Sequence, residues 1–242
     1  MSCKELIIVL FIALFFNSCQ FMFKGEGEHT IEEVPIGRVF DFVVNDVFDI
    51  YIIPDSIPKL YLEAGENQLK TITTQYDSIT GKLSINNSIV FRAARGYKKI
   101  KVILHTNTLA DIDFTVAGSL YFSDTLTVPT FRYSVHGDMG VGDIILKANY
   151  VEMNVYDASG IYDIRGETVK MRILNRGLAT VSAIDMQAKQ VECYNYSLGD
   201  CHVRAQTSLK WGIYRYGDIY QYGQIADIKG VCLGNGTFFI VN

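Results

Sequence analysis

Seven glycines recur through the second half of the sequence: Gly118, Gly142, Gly160, Gly177, Gly199, Gly217 and Gly234, separated by 24, 18, 17, 22, 18 and 17 residues. Each divides two short β-type runs, and the clearest copy is Trp211 to Gly223, WGIYRYGDIYQYG. A period near twenty predicts stacked coils. One coil cannot bury its own inward side chains, whereas coils stacked about 4.8 Å apart cover one another and pair their backbones along the axis. Glycine suits the step, because the chain must bend sharply there.

The register is testable, since successive strand residues point to opposite faces. Two and four places after each step stand Leu120/Phe122, Ile144/Leu146, Tyr162/Ile164, Ala179/Val181, Cys201/Val203, Ile219/Gln221 and Gly236/Phe238, an apolar set with few exceptions. Between them stand Tyr121, Ile145, Asp163, Thr180, His202, Tyr220 and Thr237, a more polar set. The first set is predicted inside and the second outside. Before the glycines the alternation is muddier and no face is assigned. The expectation is an all-β, right-handed, single-stranded β-helix-like solenoid of about seven coils over 116–242, pectin-lyase-like in shape. Additional N-terminal strands occupy 34–115. A β-sandwich is the competing architecture, because many short, evenly spaced strands also fit one.

The chain of 242 residues, 49% hydrophobic and 20% charged, holds ample material for one large β domain. Fifteen Tyr and fourteen Phe against four Pro favour strand. A formal charge of −4 with no long basic run disfavours nucleic acid as a partner.

The first residues read as a targeting segment. Lys4 precedes an apolar run of eleven residues from Leu6 to Phe16, too short for the roughly 20 residues a spanning helix needs but suited to a signal core. It ends in Phe16-Asn17-Ser18-Cys19, which resembles a bacterial lipobox. A lipoprotein signal over 1–18, lipid on Cys19, a flexible tether over 19–33 and a folded domain over 34–242 are expected. A plain secretory signal or a short uncleaved anchor is the alternative. Acyl chains would fix the protein to a membrane, and the expected place is the bacterial cell envelope, as an outer membrane lipoprotein facing the periplasm or the surface.

From Arg38 to Ile53 two adjoining runs alternate, with Phe40, Phe42 and Val44 on one side of the first and Phe48, Ile50 and Ile52 on one side of the second. A turn over Pro54–Pro58, a strand over Lys59–Ala64, two strands around Gly81-Lys82 and another over Lys99–Thr106 follow, while Asn67–Thr74 fits either a helical turn or a strand. The order Phe40-Asp41-Phe42, Phe48-Asp49-Ile50, Glu63-Ala64-Gly65-Glu66-Asn67 and Gly81-Lys82-Leu83, with the late Gly217-Asp218-Ile219-Tyr220-Gln221-Tyr222-Gly223, resembles the bacterial family called putative auto-transporter adhesin, head GIN domain. That resemblance implies a β-helical fold, frequent carriage by lipoproteins, an adhesive role and no catalytic residues. The family's Gly-Ser-Gly steps are largely replaced here, as in Ala117-Gly118-Ser119 and Ser159-Gly160-Ile161.

Chemistry finds little support in the residues. Asp143, Asp200, Asp218 and Asn235 follow their glycines and suggest a column able to bind a cation, but Ile161 and Leu178 interrupt it. Such residues ordinarily bond to nearby backbone N–H groups. Cys201 and His202, being adjacent on a strand, face opposite ways and form no catalytic pair. One disulfide among Cys193, Cys201 and Cys232 is possible, but no two of them occupy equivalent coil positions, so buried free thiols are expected. The four histidines lack zinc spacing, and no cofactor site is predicted.

The outward face is the candidate site. Asp163, Arg165, His202, Arg204, Tyr220 and Tyr222 are expected to line a surface able to hold a glycan or a surface protein. The competing reading is that the aromatic residues only brace neighbouring coils. The leading functional expectation is a non-catalytic, lipid-anchored envelope protein used for adhesion or glycan/protein binding. An envelope scaffold or sensory module without external ligand is the second, and a β-helix carbohydrate-active enzyme, for which only Asp163, Arg165 and Arg204 approach the requirement, is the third.

Overall fold

The computed structural model describes residues 25–88, 98–116, 118–137 and 140–242. The signal-like segment with Cys19 lies outside them, as do Ala117, Asp138 and Met139. The chain forms β1 (His29–Val34), β2 (Asp41–Val44), β3 (Phe48–Ile53) and β4 (Lys59–Gly65), a helical turn α1 (Glu66–Leu69), then β5 (Ile72–Asp77) and β6 (Lys82–Asn87). Next come β7 (Ile100–His105), β8 (Asp111–Phe114), β9 (Ser119–Phe122), β10 (Leu126–Thr127) and β11 (Thr130–His136). Four long strands follow, β12 (Gly140–Tyr156), β13 (Gly160–Arg176), β14 (Thr180–Asn195) and β15 (Cys201–Ile213), before β16 (Ile219–Tyr222), β17 (Asp227–Cys232) and β18 (Phe238–Val241).

This is a β-solenoid. The early part of β12 pairs in parallel with β9 and its later part with β11, so each long strand serves two sheets. The front sheet runs β7, β3, β9, the first parts of β12 to β15, β16 and β18. The back sheet runs β6, β2, β8, β11, the later parts of β12 to β15, and β17. Their inner residues meet in one core, as where the ring of Phe122 on the front lies edge-on to Phe131 on the back, centroids 5.8 Å apart.

Inward and outward sets fall as the alternation predicts. Thirteen of the fourteen inward residues are buried and the last, Phe238, is half-buried, whereas the seven between them are half-buried or exposed. Register places Val102, Ile50, Leu120, Gly142, Tyr162, Val181, Cys201, Ile219 and Phe238 in one column across the front sheet. Gly142 is in that column because the Tyr162 ring occupies the space where its side chain would be.

The corner step differs from the expected one. Neighbouring pairs align Gly118, Gly140, Gly160, Ala179, Gly199, Gly217 and Gly236. Gly142, Gly177 and Gly234 thus stand two residues off the column. The spacing is tight: a Cβ at Gly199, Gly217 or Gly236 would run into the carbonyl oxygen of the preceding corner residue, and Gly160 also has φ +140°. Buried polar side chains secure the same corner, Asn175 Nδ2 donating to Ala179 O at 2.8 Å and Asn195 Nδ2 to Gly199 O at 3.0 Å.

Two further expectations change. The strands over 34–115 are rungs of the same stack, not an addition to it: β2 lies between β6 and β8, and β3 between β7 and β9. Residues 29–33 of the expected tether belong to β1, which pairs antiparallel with β4 from His29 opposite Gly65 to Val34 opposite Leu60. The antiparallel pairs β4 on β7, β1 on β4 and β5 on β6 close this end of the stack. Asn67–Thr74 supplies both structures considered for it, the turn α1 and the start of β5. Phe40 precedes β2 and is exposed, while Phe42, Val44, Phe48, Ile50 and Ile52 are fully buried.

Candidate functional site

The outer surface of the front sheet carries one continuous row. Register aligns Tyr51, Tyr121, Asp143, Asp163, Ser182, His202, Tyr220 and Phe239 across successive rungs. Each side chain lies one rung, about 4.8 Å, from the next, which is the spacing at which flat rings stack. At one end Tyr51 and Tyr121 stack with centroids 5.3 Å apart, and the Lys101 ammonium sits 4.9 Å from the Tyr51 ring. At the other, His202 stacks on Tyr220 at 4.7 Å and Tyr220 on Phe239 at 4.9 Å, with interplanar angles of 9° and 12°.

Between the two stacks the row dips into a polar hollow of about 320 Å³, lined among others by Tyr121, Asp143, Asp163, Arg165, Ser182 and Asp185. The Arg165 guanidinium reaches back one rung: its Nη2 donates to Asp143 Oδ2 at 3.1 Å and lies 2.9 Å from Oδ1. This pairing offsets the repulsion between Asp143 and Asp163, which face each other across the strand pair. Among the described residues Asp163 and Asp185 make no ion pair, so their carboxylates remain available as acceptors, with Arg165 as a neighbouring donor.

The aromatic end is organised differently from a stacking platform. His202 Nδ1 lies 3.2 Å from the Tyr222 hydroxyl, and the Tyr220 hydroxyl donates to Asp218 Oδ2 at 3.1 Å. Loss of hydration and then the Asp218 carboxylate raise the Tyr220 pKa above its ordinary value. The rings of His202 and Tyr220 spend their faces on one another, so they offer edges and polar atoms to solvent.

The structure therefore brings Asp163 and Arg165 together in the hollow and His202, Tyr220 and Tyr222 together in the stack, with Arg204 exposed on the same strand as His202. Asp143, Asp185 and Tyr121 were missed as members. Reading Gly142 as the step put Asp143 one place after a corner; with Gly140 as the step it stands three places after, level with Asp163. That slip is also why Asp143 does not align with Asp200 and Asp218. Asp200 and Asp218 share a column, and each accepts from the next rung's backbone, Asp218 N to Asp200 Oδ1 at 2.8 Å and Thr237 N to Asp218 Oδ1 at 2.7 Å. They stitch coils together, whereas Asn235 precedes its corner.

Cys201 is fully buried and His202 half-buried on the opposite side of the strand. Cys193, Cys201 and Cys232 are free thiols, but Cys232 is exposed, against the expectation of burial, because it lies on the last rung. Cys193 and Cys201 meet across the core from different sheets, and the hydrogen bond that the Cys193 thiol makes to Cys201, followed by burial, pushes its pKa well up. Tyr196 and Tyr214, left without a face by the sequence, stack at 4.1 Å on the far corner beneath the Arg176 guanidinium.

The chain is similar in fold to a solved putative adhesin from Bacteroides fragilis, at 18% identity over 88% of this chain and 97% of that one, TM-score 0.80. A putative adhesin from Parabacteroides distasonis gives 19% identity, 90% and 99% coverage and a TM-score of 0.69. A structure described as a putative lipid binding protein from the same species gives 17%, 90%, 98% and 0.66. No curated protein matches the sequence. The family described as "Putative auto-transporter adhesin, head GIN domain" matches residues 41–224. A stack of parallel rungs, matched by that family model over most of the chain, places it among these proteins: it belongs to the family described as "Putative auto-transporter adhesin, head GIN domain".

Proposed function

We propose that this protein is a non-catalytic adhesin of the bacterial envelope, held to a membrane by lipid on Cys19 and binding glycan through the front sheet. The observation that carries the reading is the polar hollow of about 320 Å³ between two aromatic stacks, where Asp163 and Asp185 stand ready to accept and Arg165 to donate. Sugar hydroxyls present donors and acceptors on one ring, and a carboxylate beside a guanidinium meets both. Tyr121, Val141 and Ile164 add apolar lining to the hollow, and the rigid sheet fixes all these groups without a folding cost on binding. The family and solved relatives described as adhesins are consistent with this role.

A glycan array probed with the purified protein tests it. Asp163→Asn and Arg165→Ala remove partners at exposed positions, and losing a hydrogen bond to a charged group costs about 1.5–3 kcal/mol, or roughly tenfold or more in affinity. The expected result is a glycan signal that both substitutions weaken, with melting unchanged in Asp163→Asn and slightly lowered in Arg165→Ala, which leaves Asp143 facing Asp163 unpaired. Binding that neither substitution alters would remove the hollow from the reading, and an array without any signal would favour a scaffold that takes no glycan.

A further inference from the structure

The two ends of the stack are unlike. At the first end the antiparallel strands cover the core, and the outermost, β1, exposes His29, Glu32 and Glu33, charges that discourage strand addition. At the other end β17 pairs only with β15, and β18 only with β16, among the described residues. Side chains that earlier rungs bury are open there. Ile240 continues the column of Val203 and Gln221, both 0% exposed, yet is itself 49% exposed; Cys232, aligned with the buried Ile213, is exposed as well. The Trp211 ring lies over Gly230 and stacks on Phe238 at 4.4 Å, which shields only part of this surface.

The charge pattern on the back sheet indicates what belongs on this end. Across the rungs Asp111, Arg132, Glu152, Arg172, Glu192 and Lys210 align with alternating sign. Arg132 pairs with Asp111 at 3.0 Å and Glu152 at 3.3 Å, and Arg172 with Glu152 at 2.8 Å. The alternation fails at both its limits, where Asp41 meets Asp111 and where Lys210 meets Lys229 on the last rung. Lys229 already holds an acid of its own strand, its Nζ lying 2.9 Å from Asp227 Oδ1, so this edge presents both signs side by side and is complementary to a reversed copy of itself.

We infer that the open end is a homodimer interface, in which β17 of one copy pairs antiparallel with β17 of a second about a two-fold axis at Ile228. Opposed residues of an antiparallel pair point to the same side, so the axis must pass through a residue. Centring on Ile228 sets Asp227 opposite Lys229 twice, and Ile225 opposite Val231. Centring on Lys229 opposes two lysines. The isologous arrangement pairs both free edges at once and buries Ile240 and Phe238 of each copy. Propagation into a fibre is blocked because the other end is closed and charged.

Sedimentation of the purified full chain across concentrations, and cross-linking in intact cells, test the interface. In a Cys232→Ser background, Ile228→Cys should form a disulfide-linked dimer on oxidation, whereas Glu32→Cys on β1 should not. Lys229→Asp opposes like charges twice and should weaken dimerisation by about tenfold or more; the swap Asp227→Lys with Lys229→Asp should restore it. A wild-type chain that stays monomeric at all concentrations would overturn the inference. So would equal cross-linking from Glu32→Cys, capture of another protein by Ile228→Cys in place of its own copy, or a charge swap that fails to rescue a folded single variant.

Discussion

Tyr162 and Gly142 offer a direct measure of how tightly neighbouring coils are fitted. In Gly142→Ala the new methyl would stand 2.9 Å from Tyr162 Cδ1, with Tyr133 Cε1 at 3.7 Å and Ile144 Cδ1 at 3.8 Å closing off the sides. Tyr162 is fully buried and its hydroxyl donates to Ser159 O at 3.4 Å, so the ring has little freedom to yield. Overpacking of this kind costs about 1–3 kcal/mol, which for a chain of this size lowers Tm by about 2–4 °C per kcal/mol. Tyr162→Ala leaves a cavity and should cost about 3–5 kcal/mol. Combined, the methyl enters space the ring has left, so the double variant should be more stable than the sum of the two by about 1–2 kcal/mol. Urea and thermal unfolding of the four proteins complete the cycle. Additivity within about 0.5 kcal/mol would show that the ring does not own the space above Gly142 and would refute the argument.

Val203→Asp should unfold the protein, because an unpaired charge in a fully buried site costs several kcal/mol; His202→Asp should cost about 1 kcal/mol for the lost stack, and equal effects by circular dichroism would reverse the assigned faces. Burial pushes the Tyr162 hydroxyl up to about 12, so the folded state keeps a proton that the unfolded chain releases near pH 10. Its stability is intact below about pH 10 and declines towards pH 12, and Tyr162→Phe should make that decline shallower in urea melts at stepped pH. Of Cys193, Cys201 and Cys232, only Cys232 should react with a maleimide before unfolding, as peptide mapping would reveal. Cys19→Ala should abolish metabolic labelling with palmitate; retained label at another residue would refute the anchor.

The front of each coil was legible because period-two alternation with one buried face is the strongest signal a strand carries. A two-residue slip at Gly142, Gly177 and Gly234 preserved parity, so inward and outward residues were assigned correctly around misplaced corners. The slip hid Asp143 from the candidate site, whereas Asp185 was hidden by the irregularity between β13 and β14 after Asp163, which breaks the period-two count. The back run was obscured by the inward asparagines Asn175 and Asn195, polar residues whose amides satisfy the corner carbonyls, and by Leu174 beside Asn175, which is buried too. That 34–115 joins the same stack could not be read from spacing, since its rungs are laid down out of chain order. The aromatic residues were found, but alternation says nothing of ring orientation, and the stacking of His202 on Tyr220 is a property of the aligned rungs.

The position of β2 and β3 between β6/β7 and β8/β9 governs how the molecule comes into being. A stack laid down in chain order can grow one turn at a time and can be shortened from either end. Here the first rung to emerge waits for two later ones, one for each of its edges, and the last of these contributes residues from Asp111 to Phe122. About eighty residues of chain separate β2 from the completion of its surroundings, a long-range closure that a stack built in chain order does not have to make. A turn could be inserted or removed without breaking this order only beyond β9, where each rung rests on the one before it.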